Sequence, residues 1–478
     1  MKTANPVCEA AHRSARHVAP SGTPRRRRPG LAITREPKKF TQIDSCRFRF
    51  SSRLMLIEQT RWTTVPREES SHDYFARPTP MKIYWLKALL FVGALFGFSQ
   101  ISFACDVTLS SGANVASAVS NVGSGGTVCL GAGTYPAFSS SVVKSSMTTI
   151  TPSPGVTQSQ VTLSSANLGT SQNLQFKNMT IGGGSVGTGS SPGLHIQFVG
   201  IRFTGPLCIN NPMNINQDTL VDSSTFAGLG TSCTEGRLGV TGNNVNHSVP
   251  SGIVISNNVF GPGGCSDGIQ IVGGANGVQM LNNEFVGIKQ GSCNPVHADP
   301  IQFYGAIAPV VTGNYFHGNS TGIMSAGCNG SNGTYTDNVF VTDGEYPDQI
   351  VQTGPNGGTY DHNTFGNGAR IRFGDPNGCG LVTNVTLTNN IMTGGLGLTE
   401  GQGTSTFKIS YNIGTGGANA ISGTPTYVGG ALPSAWTGWQ LAAGSVGKGA
   451  ASDGKDIGAN TFGPARSGLP SPTNLRLQ

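Results

Sequence analysis

Three aspartates stand just before short apolar segments in the middle of the chain. Asp267, Asp299 and Asp348 open the segments Asp-Gly-Ile-Gln-Ile, Asp-Pro-Ile-Gln-Phe and Asp-Gln-Ile-Val. Carboxylates can act as general acids or bases, as nucleophiles on sugars and as ligands of hard cations such as Ca²⁺. These three aspartates are therefore catalytic candidates, and Asp267 with Asp299 is a candidate Ca²⁺ site.

Basic side chains accompany the aspartates, although charged residues make up only 11% of the chain. A β-elimination on a uronate needs a cation beside the carboxylate and a base that removes the neighbouring proton. We expect His297, two residues before Asp299, or Lys289 in the preceding segment to be the base. We expect Arg370 and Arg372 to bind the substrate carboxylate; an ordinary solvated pair is the alternative for them.

A column of isoleucines defines the strands that must position these side chains. The isoleucines stand at equivalent places in five successive segments and are Ile269, Ile301, Ile323, Ile350 and Ile371. The residues that follow them are Gln270, Gln302, Met324, Val351 and Arg372. Because neighbouring side chains in a strand point to opposite faces, an inward isoleucine column places these residues on the outer face. We expect Gln270, Gln302 and Tyr304 to contact the substrate there.

An asparagine followed two residues later by an apolar anchor recurs along the chain. The asparagines are Asn258, Asn283, Asn314, Asn338, Asn363 and Asn390, and the anchors are phenylalanines except for Met392. Successive anchors are 25, 31, 24, 25 and 27 residues apart, a regularity typical of repeat architectures with loop insertions. We expect the asparagines to form a ladder, since they tolerate left-handed backbone angles at tight turns and can bond the neighbouring coil.

The repeats predict an all-β fold, a right-handed parallel β-helix with a short N-terminal cap, over residues 105–460. Coils of such a solenoid stack ~4.8 Å apart, so Asp267 and Asp299 should lie about 5 Å apart, and Asp348 roughly 9–10 Å from Asp299. Retaining glycosidases need carboxylates about 5 Å apart and inverting ones ~6.5–9.5 Å, so hydrolysis is an alternative to elimination. A structural role, in which the aspartates bond backbone N–H groups at turns, is another.

The first 104 residues differ in composition from the rest. They carry 18 Lys and Arg against 7 Asp and Glu, whereas residues 105–478 carry 12 against 16. We expect residues 1–80 to be a disordered over-extension of the gene model; a basic nucleic-acid-binding arm is the alternative. Residues 81–104 are typical of a secretory signal peptide, with a membrane anchor as the alternative for the short apolar run at 88–98. The acidic remainder gives no support to a nucleic-acid partner.

Eight cysteines follow the expected cleavage site, an even number typical of disulfides in an oxidising compartment. Proximity along the chain suggests four pairs, although eight cysteines allow many others. The suggested pairs are Cys105 with Cys129, Cys208 with Cys233, Cys265 with Cys293, and Cys328 with Cys379. Lipidation of Cys105 is an alternative for the first of them. We therefore expect a secreted monomer, extracellular or periplasmic, with no membrane partner after signal cleavage.

The repeat pattern resembles the right-handed β-helix proteins of the pectate-lyase-like superfamily over roughly residues 106–460. The opening resembles the N-terminal cap and first coil of that class, through an amphipathic segment at 113–122 and the sequence Gly-Thr-Val-Cys-Leu-Gly-Ala-Gly-Thr-Tyr at 126–135. Residues 447–459 are similar to the closing segment of many secreted members, and residues 461–478 are typical of a linker. The catalytic motif sets of polygalacturonases and of classical pectate lyases are absent from the sequence.

The resemblance implies a polysaccharide as substrate or ligand, without assigning a reaction. The leading hypothesis is an extracellular protein that cleaves an acidic polysaccharide by β-elimination. The alternatives are a glycoside hydrolase that uses paired aspartates on adjacent coils, and a non-catalytic glycan-binding or adhesin-like β-helix.

Overall fold

The computed structural model describes residues 104–227, 233–243, 249–291, 293, 298–325, 332–374 and 379–461. Of the expected features, His297, Cys328, the leader and nearly all of the signal segment, and the tail from residue 462 lie outside these ranges. Within them the chain forms three parallel sheets, A, B and C, whose strands follow one another in rotation along the chain. This is the all-β parallel solenoid that the repeats predict.

Sheet A contains 13 strands and receives the chain at the start of each coil. Numbered in chain order, its strands are β1 Val107–Leu109, β2 Thr127–Leu130, β5 Val143–Pro152, β8 Gln172–Lys177, β11 Leu194–Val199, β14 Thr219–Asp222, β17 Ile253–Ser256, β20 Gln279–Leu281, β23 Val310–Thr312, β26 Thr334–Thr336, β29 Asn356–Asp361, β32 Thr383–Thr388 and β35 Lys408–Ser410.

Sheet B contains 11 short strands, each reached from sheet A by a two-residue turn except β6, which follows a longer connection with the 3₁₀ turn Gln158–Gln160. They are β3 Gly133–Tyr135, β6 Val161–Leu163, β9 Thr180–Ile181, β12 Arg202–Phe203, β15 Thr225–Phe226, β18 Val259–Phe260, β21 Glu284–Val286, β24 Tyr315–Asn319, β27 Val339–Thr342, β30 Thr364–Gly366 and β33 Ile391–Met392.

Sheet C, also of 11 strands, completes each coil. Its strands are β4 Phe138–Ser139, β7 Ala166–Asn167, β10 Gly184–Val186, β13 Leu207–Asn210, β16 Gly236–Thr241, β19 Asp267–Val272, β22 Ile301–Tyr304, β25 Ile323–Ser325, β28 Asp348–Gln352, β31 Arg370–Phe373 and β34 Leu396–Leu398.

The core between the sheets is built from residue columns that repeat from coil to coil. The predicted isoleucine column is confirmed, because Ile269, Ile301, Ile323, Ile350 and Ile371 are partners in register on five consecutive strands of sheet C. On sheet B, the phenylalanines from Phe226 to Phe365 stack face to face, with successive ring centroids 4.4 to 5.1 Å apart. Each coil therefore covers the apolar side chains of the next, as a solenoid requires.

The predicted asparagine ladder lies at the turn from sheet A to sheet B. Asn314 is typical, since its Oδ1 accepts the backbone N–H of Asn283 at 2.8 Å and its Nδ2 donates to the carbonyl of Met280 at 2.9 Å. Its own N–H donates to Oδ1 of Asn338 on the next coil. The ladder runs through buried side chains and comprises Asn258, Asn283, Asn314, Asn338, Asn363, Asn390 and Asn412.

One detail of the ladder prediction is wrong. The left-handed backbone conformation belongs to the residue before each ladder asparagine, as at Asn257 with φ 55° and Asn282 with φ 53°. The ladder asparagine itself keeps its side chain inside the turn, where it bonds two neighbouring coils. The position of the preceding residue is here called the outer turn position.

Three disulfides join coils as the sequence suggested: Cys105–Cys129, Cys208–Cys233 and Cys265–Cys293. Cys379 is also disulfide-bonded, and Cys328, its expected partner, lies outside the described residues. Such bonds fit a protein that matures in an oxidising compartment.

Helix is limited to short pieces. The helix α1, Val115–Asn121, lies within the predicted amphipathic segment and buries Val115 and Val119, and Asn114 accepts the N–H of Ser117 at its start. Two single turns of 3₁₀ helix lie at Gln158–Gln160 and Trp436–Trp439. None of the helices in the described part of the chain is both long and apolar enough to cross a membrane.

After β35 the chain returns along the outside of the solenoid. The Trp439 indole packs on Gly366, where a Cβ would lie 2.2 Å from the ring. Further on, residues 452–461, here called the C-terminal strap, cross the turns of successively earlier coils, since Ser452 contacts Asn389 and Asn460 contacts Asp337.

Candidate functional site

The outer face of sheet C carries the residue column expected from the sequence. Gln270, Gln302, Met324, Val351 and Arg372 are partners in register on β19, β22, β25, β28 and β31. Their side chains differ in accessibility, because Gln270, Gln302 and Val351 are buried. Strand alternation therefore gave the correct face, but the column does not form one open groove.

The two aspartates expected to act as a pair are buried beside β19 and β22. Asp267 is 0% exposed and Asp299 2% exposed. The N–H of Asp299 donates to Oδ1 of Asp267 at 2.7 Å, and the hydroxyl of Thr321 donates to Oδ1 of Asp299 at 2.6 Å. These contacts place the two aspartates on adjacent coils. They are contacts that stabilise turns, as in the structural role that the sequence analysis gave as an alternative.

A buried arginine beside Asp267 was missed by the sequence reasoning. Arg237, on β16, donates to Ser266 Oγ and to the carbonyls of Phe226 and Gly263. Burial lowers the pKa of Arg237 to about 10, against the opposing effect of the Asp267 carboxylate. The arginine thus supplies the positive charge that a buried carboxylate at Asp267 requires.

The pairing register of β16 with β19 is the observation from which Arg237 could have been found. β16 pairs with β19 so that Gly236 lies opposite Asp267 and Leu238 opposite Ile269. The segment Gly-Arg-Leu is therefore equivalent to Asp-Gly-Ile on the next coil, but it has neither the aspartate nor the isoleucine of the repeat.

Two buried amides and an exposed acid complete this polar group. Gln270 Nε2 donates to Oε2 of Glu235 at 3.0 Å and also contacts the amide of Gln302. The Gln302 amide, with its nitrogen facing the acids, lies 3.2 Å from both Glu235 Oε2 and Asp267 Oδ2. Glu235, which is exposed, was also missed from the sequence. The glutamines are held by carboxylates, which fixes their orientation beneath the surface.

The expected Ca²⁺ site is not supported by these contacts. Ca²⁺ takes six to eight oxygen ligands. One oxygen of Asp267 and one of Asp299 already accept hydrogen bonds from protein donors, and both side chains are buried. In the described ranges no three His, Cys, Asp or Glu side chains group as metal ligands would. The donor set as placed does not fit the ion, and no chemical step is derived through it.

A second charged group lies two coils further along sheet C. Asp348 pairs with Arg370, whose Nε lies 2.6 Å from Oδ1, and with Arg372, whose Nη1 lies 3.6 Å from Oδ2. A register shift between β28 and β31 sets Asp348 opposite Arg370. The arginine side chains are 35% and 37% exposed, whereas Asp348 is 16% exposed. Two guanidinium groups against one carboxylate leave a net positive charge at the surface.

The remaining expected residues are spread around this face. Tyr304 ends β22 with 53% of its surface exposed, two residues beyond Gln302 and on the same side of the strand. Lys289 lies outside sheet C and pairs with Asp343 at 2.8 Å, with its side chain 55% exposed. The structure thus joins Asp348 with Arg370 and Arg372, joins Asp267 with the glutamines, and holds Lys289 in a separate ion pair.

Comparisons with known proteins concern the fold alone. No protein-family model matches the chain, and no curated protein matches it in sequence. Among solved structures, it is similar to the PL6 family alginate lyase AlyGC, with a TM-score of 0.48 and 12% identity over 74% of this chain and 58% of that one. It is also similar to PfbA, a surface adhesin of Streptococcus pneumoniae, with a TM-score of 0.38 and 14% identity over 66% of this chain and 88% of that one. A third likeness is to the PL6 family polysaccharide lyase Pedsa3628 from Pseudopedobacter saltans, with a TM-score of 0.30 and 15% identity over 66% of this chain and 92% of that one. The chain thus spans less than two thirds of the first of these proteins.

Proposed function

We propose that this protein is an extracellular, carbohydrate-active β-helix that binds an acidic polysaccharide on the outer face of sheet C and cleaves it by β-elimination. The observation that carries the proposal is the group formed by Asp348, Arg370 and Arg372, with its two accessible guanidinium groups. Arginine binds carboxylates through paired, charge-assisted hydrogen bonds. A uronate carboxylate is therefore the ligand that this part of the face favours.

Binding at the two arginines also prepares a uronate for elimination. Neutralising its carboxylate makes the proton on the adjacent carbon more acidic. A base removes that proton, and the electron pair of the broken C–H bond forms a C=C bond to the next carbon. The glycosidic oxygen leaves that next carbon and takes up a proton. His297 and Lys289 are the candidates for the base, and Lys289 would act only after leaving its ion pair with Asp343.

Tyr304 supplies the apolar part of the proposed site. Its exposed ring offers a flat surface to the C–H groups of a sugar, on the same face as the guanidinium groups of Arg370 and Arg372. This combination of an aromatic surface with a few directed polar groups is typical of ligand sites.

The burial of Asp267 and Asp299 disfavours the hydrolase alternative. An acid and a base of a glycosidase must both reach the glycosidic bond. The two carboxylates are instead enclosed and engaged with protein donors, so we do not assign them a catalytic role in the proposed reaction.

The burial of Asp267 and Asp299 also favours a second candidate, a glycan-binding protein without catalysis. The accessible groups on this face, Arg370, Arg372 and Tyr304, are binding groups. A binder would retain the polysaccharide without forming product.

The deciding experiment is to incubate the purified protein with uronate polymers and with neutral glycans, following absorbance at 235 nm and reducing ends together. Rising absorbance with uronate polymers is the expected result, because elimination leaves an unsaturated uronate. Reducing ends without absorbance would contradict elimination and identify a hydrolase. Retention on an immobilised uronate polymer with neither product would identify a binder.

A further inference from the structure

The C-terminal strap is held by the outer turn positions of three consecutive coils. These positions are Asp337, His362 and Asn389, all with left-handed backbone angles between 51° and 57°. On earlier coils the same position is Asn257, Asn282 or Gly313, residues suited to that conformation. At His362 this position carries a titratable imidazole, which lies against the strap.

The two outer contacts are ordinary hydrogen bonds that do not need a histidine. Asn389 Oδ1 accepts the N–H of Ser452 at 2.8 Å. At the other end, Asp337 Oδ1 accepts the N–H of Asn460 at 2.8 Å, and its Oδ2 accepts the hydroxyl of Thr461 at 3.2 Å. The strap is thereby fixed at both of its ends.

The middle contact is electrostatic. His362 is 5% exposed and lies between two carboxylates, with Nδ1 3.1 Å from Oδ1 of the preceding residue, Asp361, and Nε2 3.4 Å from Oδ1 of Asp453 on the strap. Lys455, also on the strap, pairs with Asp453 at 2.9 Å. Asp337 on the preceding coil adds a further negative charge to the surroundings of His362.

We propose that His362 is a pH-sensitive latch, which holds the strap on the solenoid when its imidazole is protonated and loosens it when the imidazole is neutral. Three carboxylates act on the imidazole, and the Lys455 ammonium pairs with one of them, Asp453. A neutral His362 therefore leaves two negative charges uncompensated, whereas a protonated one leaves a single negative charge and attracts Asp453 across the contact.

The direction of the pH response follows from linkage. Burial opposes protonation of His362, but Asp361, Asp453 and Asp337 outweigh it, so the pKa of His362 is raised above its ordinary value. A group whose pKa is raised in the folded state contributes stability that is present at acid pH and lost as the pH rises through the folded pKa. The strap is thus expected to be tightest below neutrality and looser at alkaline pH.

The neighbouring coils supply a suitable variant. His362→Asn places an asparagine at this position, as at Asn257 and Asn282 on earlier coils. The turn therefore keeps a residue that tolerates its backbone angle. Asp453→Asn removes the partner carboxylate from the strap side. His195 provides the matched control, because it too has a left-handed backbone angle and an ion pair, 2.8 Å from Asp218, but on a strand that the strap does not contact.

The test is amide hydrogen exchange of residues 452–461 between pH 5.5 and 9, corrected for intrinsic exchange with unfolded peptides. In the native protein, protection of the strap should fall as the pH rises, by up to about tenfold for each unit by which the pKa of His362 is raised. His362→Asn and Asp453→Asn should flatten the response, and His195→Asn should leave it intact. Strap protection that does not change with pH, or a response that survives in His362→Asn, would overturn the latch.

Discussion

The turn from sheet A to sheet B and the outer face of sheet C are both repeated on every coil, but they differ in how much they vary. Seven consecutive coils place a buried asparagine at the turn. On the first six of these coils the central column of sheet C reads Gln270, Gln302, Met324, Val351, Arg372 and Gly397. The turn has an asparagine on each of these coils, whereas the residue on the face of sheet C changes on nearly every coil.

Coupling between coils explains the difference. A ladder asparagine such as Asn314 satisfies polar groups of the coil before it and depends on the coil after it, so any change leaves buried partners unsatisfied on both sides. A residue such as Arg372 on the outer face of sheet C makes no comparable bond that each coil must repeat. Variation there is tolerated by the fold, which makes this face the region that can be adapted to a ligand.

The largest effect is expected from breaking the ladder. Asn314→Ala removes the acceptor for Asn283 N–H and the donor to the Met280 carbonyl, which lie in a buried turn. Leaving these groups unsatisfied should lower the free energy of unfolding by about 3 kcal/mol, measured by urea denaturation. Thr334→Ala, at an exposed position of sheet A, is the control and should change stability by less than ~0.5 kcal/mol. Equal effects from the two variants would show that the turn is no more constrained than the surface.

A smaller effect, on affinity, is expected on the face of sheet C. Arg372→Ala leaves the Asp348–Arg370 pair in place and removes one accessible guanidinium group. Binding of a uronate polymer should weaken by about 1.5–3 kcal/mol, with the free energy of unfolding changed by less than about 1 kcal/mol. Arg202→Ala removes an exposed arginine from the outer face of sheet B and serves as the control. If both variants bind alike in an affinity titration, the arginine group is not the ligand site.

The fold could be predicted from the sequence because its determinants repeat. The isoleucine column and the asparagine period each recur at one residue per coil, so the register of sheets B and C follows from aligning them. The conformation of the turn was harder to assign, since Asn257-Asn258 and Asn282-Asn283 place two asparagines side by side. Gly313 before Asn314 resolves the ambiguity, because glycine is the residue best suited to the left-handed position.

The candidate site was only partly predictable. Alternation along a strand tells which way Gln270 and Gln302 point, but not what covers them, because covering depends on segments without a repeat. Asp267 was a candidate because it is an ionisable group near a strand end. The spacing of residues along the chain does not reveal that it is buried beside Arg237. Arg370 and Arg372 were recognised because they flank an inward residue and must share the outer face.

The smallest effect is expected at Asp299, which lies beside the variable face of sheet C. Like a ladder asparagine, it is buried and forms hydrogen bonds to neighbouring coils. Asp299→Asn retains an oxygen that can accept the Thr321 hydroxyl, so it should alter stability little. Asp299→Ala loses that bond and should cost about 1 kcal/mol in urea denaturation. Product formation measured at 235 nm should be unchanged in Asp299→Asn if the carboxylate only supports the turn. A folded Asp299→Asn variant without product would instead make Asp299 part of the chemistry, and would mean that on sheet C burial in the free protein does not separate structural from catalytic acids.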